Sequence, residues 1–215
     1  MISLVEELVL LAVEDDGKIA YTAGSHDFSM ALVGACLVEL NLAGRIDADL
    51  ETITILSREP TGNVAADAVL RQLDGSHASV RQQVRELQAQ SGELMKATLA
   101  SLISRGVLEK TEARFLWALR SRRYPIVDGR EQKEAKLRIL SILLSEDLPT
   151  PHDTVLIGLA FAGGLLESFL TRRQIAQLSD RIGEIGGLDL IVRGVEAAIR
   201  DEAELRAHVM MLSVH

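Results

Sequence analysis

Aromatic residues are scarce: the 215-residue chain has one tryptophan, two tyrosines and four phenylalanines. An interior with so few rings must be built from Leu, Val, Ile and Ala, which suits interlocking helices better than a β-sandwich. Cysteine is nearly absent. Cys36 is alone, which excludes an internal disulfide and a multi-cysteine zinc site and fits a reducing compartment. Its neighbours, Met30 to Leu37, are almost all apolar, so the thiol reads as buried and inert. Long hydrophobic runs are missing too. The longest uncharged stretch, Thr154 to Leu166, is 13 residues, against the roughly 20 that a bilayer crossing requires. The chain start lacks a basic region and carries Glu6 and Glu7 within its apolar stretch, so no signal peptide is expected. The expectation is a cytoplasmic protein whose membrane contact, if any, is peripheral.

What is present is ordinary in bulk: 47% hydrophobic and 25% charged residues describe a globular chain rather than a disordered or fibrous one. Thirty-one acidic against 23 basic residues give a net charge of −8, which does not suit a general nucleic-acid binder. The length fits one sizeable core, and with no Pro/Ser-rich linker residues 1–215 read as a single domain.

Local signals are mainly helical. Ser3 with Glu6 forms a capping-box pattern before a first amphipathic helix that stops at Asp15-Asp16-Gly17. Lys18 to Thr22 reads as a short strand, and Ser25 or Asp27 then caps a helix to about Leu42, apolar almost all round and closed by Gly44. Arg45 to Leu50 and Thr52 to Leu56 are β-like, Glu59 to Asn63 is a turn, and Thr61 or Asn63 caps a helix through Leu73. A long helical region starts at Ser79, is interrupted near Ser91-Gly92 and ends at Arg105-Gly106. Further helices are expected from Arg130 to Leu144, Thr154 to Leu170, Ile175 to Ile185 and Leu188 to about Val209, with Gly158, Gly163 and Gly164 allowing close helix approach. The fold class is therefore mainly α, a single helical bundle with one or two short β-hairpins.

An internal echo accompanies this order. Leu99 to Leu108 repeats the logic of Leu37 to Ile46: an apolar helix, a glycine exit, then a strand. The second hairpin is expected to pair Val107–Lys110 with Arg114–Leu119. Helix, glycine and hairpin in that order is also how a winged helix-turn-helix reads. However, Leu94 to Arg105 offers only Lys96 and Arg105 as cations, too few for several phosphates, so DNA is a minor alternative.

Several landmarks together resemble the GPP34 family. They are Ile2 to Leu11 with its paired glutamates, Leu37-Val38-Glu39-Leu40 followed by Gly44-Arg45-Ile46, Pro60-Thr61-Gly62-Asn63-Val64 with Asp67 and Leu70, Leu102 to Leu108, and Leu156-Leu159-Ala160 with Leu166-Glu167. The resemblance implies a helical bundle with a protruding β-hairpin and peripheral binding to membranes through phosphatidylinositol 4-phosphate. It also implies adaptor partners among the cytosolic segments of membrane proteins, and contacts between copies through the hairpin. The chain departs from the family at the lipid pocket: Gly24 and Val33 stand at the matched tryptophan and arginine positions, and Gly92 and Met95 at the paired basic positions.

The segment from Arg105 to Arg138 differs from the rest of the chain. It holds ten basic residues against five acidic ones, a local +5 within −8, together with Phe115, Trp117 and Tyr124. Trp and Tyr seat at the headgroup level of a bilayer, and each nearby cation adds about 1 kcal/mol of attraction to an anionic surface. The candidate lipid- or anion-binding residues are Trp117, Arg120, Arg122, Arg123 and Tyr124, with Arg81, Arg85 and Lys96 as a second set. The alternative reading has Phe115 and Trp117 covering the bundle and the arginines solvated, or the hairpin serving self-association without lipid. No nucleophile elbow, phosphate loop, zinc-protease motif or dinucleotide fingerprint is present, and the five histidines lack metal-ligand spacing. Neither a cofactor nor a metal is expected, and catalysis through an uncatalogued pocket is, like DNA binding, a minor alternative. Glu6-Glu7 and Asp15-Asp16 read as capping and solubility residues.

Overall fold

Ser3 starts helix α1 (Leu4–Leu11) with the expected capping box: its hydroxyl accepts from Glu6 N–H at 3.2 Å, and the Glu6 carboxylate accepts from Ser3 N–H at 2.9 Å. The computed structural model describes residues 2–19, 25–49, 51–75, 78–113 and 121–212. The strand expected at Lys18–Thr22 falls partly outside them; within them, Val13 bridges Ile19. Helix α2 (His26–Leu42) is the axis. Residues 28–38 are buried without a break, so three turns of this helix meet protein on every side. Full burial of each leucine here, such as Leu32 and Leu37, is worth about 1.5–3 kcal/mol. Ser25 occupies the N-cap position, but its side chain makes no cap bond.

The two glycine exits of the sequence echo are equivalent in three dimensions. Gly44 (φ 64°) ends α2 and leads to strand β1 (Ile46–Ala48), which pairs antiparallel with β2 (Ile53–Ile55). Helix α3 (Val64–Gln72) follows, then α4 (Val80–Leu87), a 3-10 turn at Gln88–Gln90 and α5 (Ser91–Ser104), so the long helix breaks slightly earlier than its sequence suggests. Gly106 (φ 72°) ends α5 as Gly44 ends α2. In both, the next residue's N–H reaches back to a carbonyl five positions earlier, Arg45 to Leu40 and Val107 to Leu102. A left-handed residue is required for that closure, and glycine takes it without a Cβ clash.

The second hairpin corrects the expected register. Strand β3 (Thr111–Ala113) pairs with β4 (Ser121–Arg123), while Leu108 bridges Ile126 and Val127 N–H reaches Val107 O. Val107–Lys110 thus faces residues 124–127, not Arg114–Leu119. Burial decides between the registers: Leu108 is fully enclosed, and Tyr124 and Ile126 pack on the same core.

Helix α6 (Arg130–Leu144) and helix α7 (Pro151–Ala162) come next, the latter capped by Thr150 and Asp153. The helix expected to reach Leu170 ends at Ala162, because Gly163 and Gly164 (φ 74°) turn the chain into a short 3-10 segment, Leu165–Ser168. Helix α8 (Arg172–Gly186) and helix α9 (Leu190–Leu212) complete the described chain. Gly158 of α7 meets Val192 and Gly186, the close approach expected of a small residue there. The first half of α9 buries Ile191, Val192, Val195 and Ala198, whereas residues 203–211 are exposed on all faces. Among the described residues the chain is mainly α-helical, and its buried aliphatic side chains form one continuous core.

Candidate functional site

The family-like landmarks resolve into interlocking caps. Glu39 of α2 accepts from Leu4 N–H at 2.6 Å, holding the start of α1. Asn63 Oδ1 accepts from Ala65 and Ala66 N–H at the start of α3, while its Nδ2 donates to Ser3 Oγ at 3.1 Å. Asp67 accepts from Thr61 N–H and Oγ1, both at 2.7 Å, and from Gly62 N–H. These side chains satisfy orphan helix and turn donors that burial would otherwise penalise.

Beside these caps lies a polar network that sequence reasoning missed. Glu6 is buried, and its carboxylate accepts from Ser101 Oγ at 2.8 Å and Arg105 Nη1 at 2.6 Å. Glu7 takes Arg138 Nη2 on both oxygens at 3.0 Å and contacts His152 Nε2 at 2.6 Å; Arg138 Nε also donates to Asp153 at 2.5 Å. Burial alone would raise the Glu7 carboxyl, but the bonds from His152 and Arg138 outweigh it and hold the group below its ordinary range. The bond to Glu7 in turn raises His152 against the opposing effect of burial. The network borders two adjoining grooves of about 500 and 550 Å³ that share Ile2, Arg105 and His152. Glu6 does cap α1, as expected, but Glu7 is a structural ion-pair partner rather than a solubility residue. The only sequence signal was a charged pair inside an otherwise apolar helix.

At the second hairpin, Trp117 and Arg120 lie outside the described residues, as does Phe115, and Arg122 stands opposite Glu112 in the β3–β4 register. Arg123 is half-buried and donates to the Asp16 carboxylate at 2.9 Å and to Asp16 O at 3.1 Å, and Tyr124 N–H bonds Gly17 O at 2.7 Å. These two residues staple the base of the hairpin to the turn after α1. The Asp16 carboxyl is held below its ordinary range, chiefly by hydrogen bonds from Lys18.

The second set does not converge on one pocket. Arg81 makes a two-point contact with Asp201, and Arg85 lies 3.8 Å from the same carboxylate. Arg81 borders a cleft of about 400 Å³ with Arg193, Arg200 and Glu196, whose carboxyl is raised by burial. Lys96 pairs with Glu93 at 2.5 Å and stands at a separate cavity of about 140 Å³. Gly92 and Met95 line that cavity with Phe28 and Leu32, and at its edge Ser91 Oγ donates to Ser29 Oγ at 2.9 Å. The positions matched to paired basic residues are therefore part of an apolar hollow, and Val33 is fully buried. This arrangement favours an apolar group over a phosphate.

No group of three or more metal-capable side chains occurs among the described residues. No curated protein matches the chain in sequence. A family model described as Golgi phosphoprotein 3 (GPP34) matches residues 4–202, a span that includes every ion pair of the network around Glu6 and Glu7. On that match, the chain belongs to the Golgi phosphoprotein 3 (GPP34) family.

Proposed function

We propose that this protein is a non-catalytic adaptor that attaches peripherally to anionic membranes and engages cytosolic segments of membrane proteins. Family membership supports the adaptor class. The observation that carries membrane attachment is the local +5 charge of residues 105–138 within a chain of −8. Ion pairs account for part of it, since Arg105, Arg123 and Arg138 are matched by Glu6, Asp16 and Glu7. Lys110, Arg130 and Lys133 are exposed and make no ion pair among the described residues. No described helix is long and apolar enough to cross a membrane, which is consistent with surface attachment.

The lipid contact is electrostatic and made through the hairpin, with Trp117, Arg120 and Arg122 as its candidate residues, rather than through a phosphoinositide pocket at Gly92 and Met95. Sedimentation with neutral, phosphatidylserine-containing and phosphatidylinositol 4-phosphate-containing vesicles at two salt concentrations tests this. Binding to both anionic compositions that weakens with salt supports it. Replacing Arg120 and Arg122 by serine should reduce binding and its salt dependence. Absence of binding to all vesicles would remove the membrane reading, and light scattering would then test self-association as the hairpin's role.

A further inference from the structure

The outward surface of α6 exposes two leucines among its polar residues. Its inward face is defined by buried Gln132, Ala135, Ile139, Ile142 and Leu143. At about 100° per residue the opposite side is centred on Arg130, Leu137, Ser141 and Leu144, with Lys133 at one edge and Glu134 at the other. Leu137 is 54% exposed and Leu144 74%, and Val127, just before the helix, is 54% exposed.

The charges of α6 are sorted around it. Glu131 and Glu134 fall on one flank, where they border the groove containing Glu7, Arg138 and His152. Lys133 and Lys136 fall on the other, with Lys136 Nζ lying 5.9 Å from the centre of the Phe169 ring. Glu146 and Asp147 follow the helix end, so the strip is basic at its start and acidic beyond its finish.

We infer that this strip, centred on Leu137 and Leu144 with Arg130 and Lys133, is a membrane-contact surface that lies against anionic lipid. The inference rests on the membrane reading above and adds a surface to it. Cations that make no ion pair among the described residues, set beside outward leucines, complement phosphate headgroups over acyl chains, as in amphipathic helices that lie in the interface plane. The charge gradient tilts α6 with its Arg130 end toward the headgroups, next to the hairpin base at Val107 and Val127. Attachment then has an aliphatic component that salt does not screen.

The test uses the full chain and phosphatidylserine-containing phosphatidylcholine vesicles. Leu137→Ser with Leu144→Ser should lower partitioning about tenfold at both low and high salt and leave the melting temperature near that of the parent. Arg130→Ser with Lys133→Ser should lower it by a similar factor or more at low salt and by less at high salt. A Leu137→Cys protein labelled at that position with an environment-sensitive dye should shift its emission to the blue when vesicles are added. If the parent binds and both double variants bind equally well, the strip is overturned while the membrane reading stands. If the parent binds no vesicle, both fall. Loss of self-association in the leucine variant with unchanged lipid binding would reassign the strip to contact between copies and overturn the inference.

Discussion

His152 Nε2 lies 2.6 Å from Glu7 Oε2, tying the first turn of α7 to α1 across 145 positions of sequence. Arg138 reaches the same carboxylate from α6, and Asp153, Arg105, Glu131 and Glu134 are the other charged groups around this groove. The raised His152 contributes stability that is complete below its ordinary value of 6.5 and is lost as pH climbs through the higher folded value. Glu7 acts oppositely: its contribution is complete above 4.5 and is lost as pH falls through the lowered folded value. Thermal melts against pH should therefore show greatest stability between about pH 5 and 6. His152→Gln should cost about 1 kcal/mol there and flatten the decline above it. A variant profile parallel to the parent's would count against this coupling.

Asn63 caps α3 and bonds Ser3, so one side chain holds two helix starts. Asn63→Ala should cost about 1–2 kcal/mol, read as a lower urea midpoint with an unchanged slope. Asp67→Asn should cost less, because the single amide oxygen can still accept from Thr61 N–H and Oγ1 and only the longer bond from Gly62 N–H is lost.

Two glycines separate packing from propensity. A Cβ on Gly158 would sit 2.5 Å from Val192 Cγ1 and 3.1 Å from the Gly186 backbone, so Gly158→Ala should destabilise by about 1–3 kcal/mol. Gly183, in the interior of α8, would meet nothing within 4 Å, and Gly183→Ala should gain about 0.5–1 kcal/mol. Calorimetric melting of both variants gives the sign directly: a raised melting temperature for Gly158→Ala would contradict the packing there, and a lowered one for Gly183→Ala would contradict the open space at that position.

Local chemistry was the legible part of this sequence. The capping box at Ser3 and Glu6, the glycine exits at Gly44 and Gly106, and the all-round apolar α2 each depend on neighbours within a few positions. The second hairpin was harder, because its residues suit more than one register and the burial of Leu108 chooses between them. The network of Glu7, Arg138, His152 and Asp153 was not legible at all, since no local pattern says that residues on three separate helices meet. The candidate residues divided likewise. Basic composition marked the 105–138 segment, but only three dimensions show that Arg123 and Arg138 are structural ion-pair partners while Lys133 faces outward.

Helix α9 is one object geometrically and two thermodynamically. Up to Ala198 it buries Ile191, Val192, Val195 and Ala198 in the core, whereas residues 203–211 are exposed, with Arg206 reaching across to Asp27. An isolated helix of that length is marginal in water. Its amides should therefore exchange with solvent in two classes, the early turns at the rate of global unfolding and the last turns far faster, through fraying that leaves the bundle intact.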